Sequence, residues 1–152
     1  MNQINIRKAT LKDLPSLLVF EQGVIEAERP LDQTLKCSPT TYYNLNEMLI
    51  AKHTYLLVAE LNKEIISCGY ARIKNAKESL KHQQFGYLGF MYTIPLHRGK
   101  GLNKSIIDKL IAWCNSQDIH EIRLSVYDGN ISAIKAYEKV GFEKHLITMR
   151  IK

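Results

Sequence analysis

Between a strand-like run and a helical one, residues 94–108 read IPLHRGKGLNKSIID. Pro95 stops the strand, Gly99 and Gly101 flank Lys100, and an apolar stripe of helical spacing begins directly afterwards. A strand, a glycine turn and a helix in immediate succession call for an α/β arrangement, in which a strand end meets a helix start. The first turn of such a helix presents unpaired N–H groups and roughly half a positive charge. Glycines let the backbone approach an anion with no Cβ in the way, and Arg98, Lys100 and Lys104 add charge. The stretch is therefore a candidate phosphate cradle. The same residues also fit a plain helix start that needs glycine for its turn and lysine for solubility.

Two common phosphate motifs are excluded. A P-loop would need glycine where Ile94 stands and Ser or Thr where Gly101 stands, and a dinucleotide fingerprint would need glycine in place of Lys104.

The elements on either side can be read from periodicity. Residues 3–8 alternate as a short strand. Thr10 or Asp13 offers an N-cap for a helix whose apolar face is Leu14, Leu17, Leu18 and Ile25, and Arg29-Pro30 ends it. Residues 31–38 read as loop, and Ser38-Pro39 as the start of a second helix running towards Lys52. Residues 55–60 and 64–73 form an antiparallel pair across the tight connection 61–63. Residues 75–84 read as exposed loop and 85–94 as a further strand. Ile106, Leu110 and Trp113, widened by Ile107, Ile111 and Cys114, mark a helix over 102–116. Residues 122–126 read as a strand, Asn130 caps a helix through Val140, and Gly141 stops it. Residues 142–151 read as a closing strand. The expected fold is a mixed α/β sheet with helices on its faces, in one domain over residues 1–152.

Composition narrows the partners. A net charge of +6, from 21 basic and 15 acidic residues, is compatible with nucleic acid or a phosphorylated ligand. Outside 98–104 the basic residues are scattered and no nucleic-acid motif appears, so nucleic acid is not expected. No apolar run reaches the ~18 residues of a membrane span, and the first residues lack a secretion signal, so a cytoplasmic protein with no membrane partner is expected. Cys37, Cys68 and Cys114 are odd in number and widely spaced, which reads as buried free thiols. The five histidines show no metal-ligand spacing, so no metal is expected.

A second constellation, LSVYDGNISAIKAYEKVGF at 124–142, sits downstream. Asn130 and Tyr137 lie nearly two turns apart on one side of a helix, and Ala133 and Ala136 leave room for a ligand along it. With both stretches in view, the chain resembles the GNAT superfamily of N-acetyltransferases. Their phosphate loop reads R-G-x-G-[IL] after a strand end, and this chain has TIPLHRGKGL at 93–102. Their later motif reads N-x-x-A-x-x-x-Y-E-K-x-G-F, which Asn130, Ala133, Tyr137, Glu138, Lys139, Gly141 and Phe142 match in register. The resemblance covers nearly the whole chain.

It implies the GNAT fold, with a mostly antiparallel central sheet and helices on both faces. It also implies acetyl transfer from acetyl-CoA to a primary amine. The N–H groups of Arg98, Gly99, Lys100, Gly101, Leu102, Asn103 and Lys104 would hold the pyrophosphate of coenzyme A. The strand 85–94 would splay from 125–127, and pantetheine would lie in the gap, bonded near Met91 and Thr93. A backbone N–H there would polarise the thioester carbonyl. Tyr137 would protonate the departing thiolate, and Asn130 and Ala133 would face the cofactor.

The chain departs from the family pattern at Leu96, where Gln or Arg is common, and at Asn103, where a third glycine is common. Many relatives carry a glutamate on the strand before the loop, where Tyr87 and Gly89 stand here. Glu28 and Glu60 remain as candidate bases through water. The acceptor is expected between the first two helices, where Glu21, Glu26, Glu28 and Asp32 against Arg29 and Lys36 leave a local charge of −2. Glu28 suits a cationic amine, Arg29 a carboxylate on the acceptor, and Tyr42, Tyr43 and Tyr87 aromatic walls. The expected acceptor is a small-molecule amine. A protein N-terminus or lysine, and a CoA-binding module without catalysis, are the alternatives. Many relatives form dimers, and the strand 142–151 offers an edge for one.

Overall fold

The computed structural model describes residues 3–152. Five strands form one sheet in chain order: β1 (Asn5–Lys8), β2 (Thr54–Leu61), β3 (Glu64–Asn75), β4 (Gln84–Thr93) and β5 (Ile122–Leu124). The first four pair antiparallel, and β5 joins β4 in parallel. Helices α1 (Leu14–Glu28) and α2 (Leu45–Ile50) precede β2. Helix α3 (Leu102–Ser116) links β4 to β5, as a parallel pair requires, and α4 (Ile131–Val140) follows β5.

Strand periodicity sorts the core into two layers. Leu56 and Val58 point to one face of β2, with Leu17, Phe20, Leu45, Met48 and Phe90. Leu57 and Ala59 point to the other, with Ile66, Leu88, Ile106, Ile107 and Leu110. Both faces of the sheet are thus covered by helices, as expected. Leu17 and Leu110 are fully buried, so truncating either to alanine costs about 2–5 kcal/mol.

Three expectations are corrected. The second helix does not begin at Ser38-Pro39. The Arg29 guanidinium donates to the Lys36 carbonyl at 2.6 Å and to Ser38 Oγ at 3.1 Å, which holds that stretch as loop. Glu21 is buried, and its Oε2 accepts the N–H groups of Tyr42 and Tyr43 at 2.9 and 2.8 Å, which prolongs the loop further. The helix starts only after Asn44, whose side chain accepts the Glu47 N–H at 3.2 Å. Residues 142–151 form no strand, because no other strand lies beside them. Cys68 and Cys114 are buried free thiols, whereas Cys37 is exposed on the 31–44 loop.

No helix among the described residues is long and apolar enough to cross a membrane.

Candidate active site

The strands β4 and β5 pair only at Gly86–Ile122, Tyr87–Arg123 and Leu88–Leu124. Beyond Gly89 the register with β3 shifts, and Phe90 adopts a left-handed φ of 55°, unusual for a bulky residue. Such a bulge bends the strand that carries it. β4 then runs on to Thr93 while β5 stops at Leu124, so 125–127 pass without pairing to β4. The end of pairing past Leu88 agrees with the expected splay.

The slot opens into a cleft of about 510 Å³. One wall is the glycine turn. Gly99 and Gly101 have φ of 76° and 78°, and a Cβ on either would meet nothing within 4 Å. Glycine is therefore needed for backbone conformation rather than for space. Left-handed residues are a component of the backbone nests that bind anions. Gly101 is the N-cap of α3 with no side-chain cap, so the first N–H groups of that 15-residue helix have no side-chain partner. Thr93, Arg98, Gly99, Gly101, Leu102, Asn103 and Lys104 all line this cleft.

The opposite wall is α4, but not along the face expected. Ser132, Lys135, Ala136 and Lys139 line the cleft, whereas Asn130 and Ala133 bond to each other, with the Ala133 N–H donating to Asn130 Oδ1 at 3.3 Å. Lys135 and Lys139 put two cations opposite the loop, a pair legible in retrospect from their i, i+4 spacing on the helix. Arg98 folds back, donating from Nε to the Thr93 carbonyl at 2.8 Å and lying over the Tyr92 ring at 5.5 Å. Lys104 pairs with Asp108 at 2.7 Å. Lys100 is exposed outside the cleft. The Met91 sulfur packs over Gly69, where a Cβ would meet it at 2.5 Å, so its side chain belongs to the α3 face.

At the acceptor end, Glu28 is the hub. Its charge helps push up the pKa of the Tyr42, Tyr43, Tyr127 and Tyr137 phenols and so keeps them neutral, which puts all four rings within its field. The Tyr137 phenol is pushed up to about 12, first by burial, then by Glu28 and Tyr87. Its ring meets Phe142 edge-on at 6.0 Å. Tyr42 is raised most by burial and next by Glu28, yet its Oη completes no well-formed hydrogen bond. Tyr87 carries the Lys74 ammonium over its ring at 4.1 Å.

Two residues are spent elsewhere. Arg29 uses its fork on Glu26, Lys36 and Ser38 and so braces the loop. Glu60 lies towards the β1 edge, 3.4 Å from Arg7 and on the far side of the sheet from Tyr137. Asp32 and Tyr127 form a contact that sequence reasoning missed, described below. Tyr70 was missed too: its ring fills the space above Gly89.

The chain matches the sequence profile described as the acetyltransferase (GNAT) family over residues 23–142. A search of curated proteins finds no significant match. Among solved structures, a predicted acetyltransferase with acetyl-CoA from Clostridium acetobutylicum shares 22% identity, with a TM-score of 0.77 over 99% of this chain and 96% of that one. An aminoglycoside 6'-N-acetyltransferase from Acinetobacter haemolyticus shares 16%, with a TM-score of 0.74 over 97% of each chain. A glucosamine-6-phosphate N-acetyltransferase from Arabidopsis thaliana shares 20%, with a TM-score of 0.72 over 99% and 98%. At such identities the likeness to these structures is one of fold.

Proposed function

Because this chain belongs to the GNAT acetyltransferase family, we propose that it transfers an acetyl group from acetyl-CoA to a primary amine of a small cationic molecule. The observation that carries the reading is the placing of the glycine turn, the end of β4 and α4 around one cleft. The glycine turn and α4 face each other across one cleft that Thr93 at the end of β4 also lines, next to the stretch where β4 and β5 no longer pair, and Tyr137, beside Ala136 on α4, lies within the field of Glu28.

The residues present fit coenzyme A. The nest and the uncapped α3 N-terminus suit a pyrophosphate, and Arg98, Lys104, Lys135 and Lys139 neutralise it from both walls. The unpaired stretch of β4 past Leu88 suits an extended amide chain that completes the sheet hydrogen bonds. When bound, the group supplies an activated thioester.

With coenzyme A bound, Tyr137 would stand by the departing sulfur. With its pKa near 12 it stays protonated across the neutral range. A thiol sits near 8.5, so full proton transfer from this phenol runs uphill by about 5 kcal/mol. Tyr137 therefore stabilises the developing thiolate by hydrogen bonding, and the proton comes finally from the acetylated amine. Gly89 and Tyr87 offer no carboxylate, so the amine, with a pKa near 10, sheds its proton to water before it attacks. Glu28 gathers and orients the cationic acceptor among Tyr42, Tyr87 and Tyr127.

A small acceptor is favoured over a protein by the loop 29–44. Leu31 packs within 3.1 Å of where a Gly129 Cβ would stand, and Asp32 bonds Tyr127, so the loop closes over the β5–α4 junction. The aminoglycoside and amino-sugar acceptors named for the structural neighbours are of the same kind.

The test mixes the protein with acetyl-CoA and a panel of amines, amino sugars and peptides and reads free thiol. Release with small cationic amines is expected. Cofactor binding without release on any of them would overturn the reading.

A further inference from the structure

Where β4 begins, one face of the sheet gathers cations over aromatic rings. Residues opposite each other in paired strands share a face. Lys74 stands opposite Phe85, and both Arg72 and Arg123 stand opposite Tyr87. Phe85 and Tyr87 are two apart on β4, so their rings rise on the same side roughly 7 Å apart. Tyr87 packs against the core layer that holds Leu17, Phe20 and Leu45, which puts this face on the side of α1 and α2. The Lys74 ammonium lies 4.1 Å from the centre of the Tyr87 ring, and the Arg123 guanidinium 5.5 Å from that of Phe85.

The three cations are not equally spent. Arg72 Nη2 donates to both Glu47 oxygens at 2.7 and 2.6 Å, and its Nε to Thr54 Oγ1 at 2.8 Å, so it serves to tie α2 to β2 and β3. Arg123 commits only Nε, to Glu121 Oε2 at 3.0 Å. Among the described residues its two terminal nitrogens meet no acceptor, and Lys74 meets no carboxylate. A carboxylate cancels the charge it holds, whereas a ring orients a cation and leaves its charge in place. The connection 75–84 adds Lys77 and Lys81 against Glu78. This platform adjoins the acceptor end, because Tyr87 and Glu28 both act on the Tyr43 and Tyr137 phenols. Arg29, the cation expected to take a carboxylate of the acceptor, is bound within its own loop.

We propose that Lys74 and Arg123 form an anion subsite for the acceptor, so that the molecule acetylated carries a carboxylate or a phosphate besides its amine. The proposal rests on the acetyl-transfer reading and narrows its substrate class to amines with an anionic end. The amine end goes to Glu28, and Tyr87 lines the way to the other end. There the free edge of the guanidinium offers paired donors and the ammonium a point charge.

The test has two arms. In the first, the protein saturated with coenzyme A is titrated with inorganic phosphate and followed by NMR. Signals of Lys74, Phe85, Tyr87 and Arg123 should move, and Lys74→Gln or Arg123→Gln should weaken the effect about tenfold. In the second, acetyl transfer is compared within matched pairs, phosphoethanolamine against ethanolamine and γ-aminobutyrate against its amide. The anionic member of at least one pair should have the higher kcat/KM by about tenfold or more, and which pair shows it tells phosphate from carboxylate. Lys74→Gln should erase that preference through KM with little change in kcat, and Lys74→Arg should restore it. No shift with phosphate would overturn the proposal. So would transfer without preference in either pair, or a preference untouched by Lys74→Gln, and in both of these the acetyl-transfer reading stands. Phosphate shifts with no transfer to any amine would instead overturn that reading, and the acceptor assignment with it.

Discussion

The Tyr127 hydroxyl donates to Asp32 Oδ2 at 2.6 Å, joining residues 95 positions apart. Asp32 also accepts from the backbone N–H and the hydroxyl of Thr34, which caps the turn from which the loop reaches over the site. These bonds hold Asp32 down to about 2, with Thr34 the largest cause and Tyr127 the next. Tyr127 is raised to about 12, mainly by burial and then by this bond. The loop is latched by a contact between a carboxylate that stays charged and a phenol that stays neutral.

Because the Asp32 pKa is depressed by folding, the latch contributes fully above the ordinary carboxylate value of 3.8 and fades as pH falls through about 2. Between pH 5 and 9 no change in loop order is expected, as NMR of the loop amides would show. Tyr127→Phe should raise the KM for the amine about threefold or more and leave coenzyme A affinity unchanged. An equal loss in both would mean that the contact supports the whole site rather than the acceptor loop.

Gly99 and Gly101 are left-handed with open space around each Cβ position. Alanine at either position disfavours the nest by about 1–2 kcal/mol without any clash. Calorimetry should show coenzyme A binding weakened about tenfold in Gly99→Ala, with the melting temperature shifted only slightly, because the turn is exposed. Valine adds β-branched stiffness and should weaken binding further. Unaltered affinity in both variants would remove the turn from the cofactor site.

Tyr137→Phe removes a donor and keeps the packing against Phe142. Turnover should fall about 10- to 100-fold with cofactor affinity retained. The pH profile provides a second reading. Deprotonation of the amine should raise kcat/KM about tenfold per pH unit towards 10. No alkaline decline should appear below pH 11, because Tyr137 ionises only near 12. A fall above pH 9 in the wild type that disappears in Tyr137→Phe would contradict that assignment.

Local features of the sequence were legible and distant ones were not. The turn at 98–104 follows from glycines adjacent in sequence, and α1 and α3 from apolar stripes of period 3.6. The start of α2 was misplaced because Ser38-Pro39 resembles a helix opening. What delays the helix is Arg29 and Glu21, whose bonds to 36–43 no local pattern reveals. The signal that was available is Asn44 followed three residues later by Glu47. The acceptor side depends on contacts such as Asp32 with Tyr127 and Leu31 with Gly129, which exist only after the sheet has formed. The tail at 142–151 has strand chemistry, but pairing needs a neighbour, and composition cannot say whether the same chain provides one.

At Gly89 the space a side chain would need is taken by Tyr70. A Cβ there would lie 2.7 Å from Tyr70 Oη and 2.8 Å from two ring carbons, and Tyr70 is itself buried, with its phenol raised to about 12 by that burial. Placing a carboxylate side chain at this position should therefore damage the site instead of supplying a base. Gly89→Ala should cost about 1–3 kcal/mol by overpacking. Tyr70→Ala alone leaves a cavity and costs about 3–5 kcal/mol. In the double variant the new methyl sits in the space the ring has left. The combined loss in chemical denaturation should then fall short of the two separate losses by 1 kcal/mol or more, on the order expected for side chains in contact. Strict additivity would mean that Tyr70 moves aside freely. In that case Gly89→Glu, which is expected to lower both stability and turnover, would instead be free to act as a base and raise activity near neutral pH.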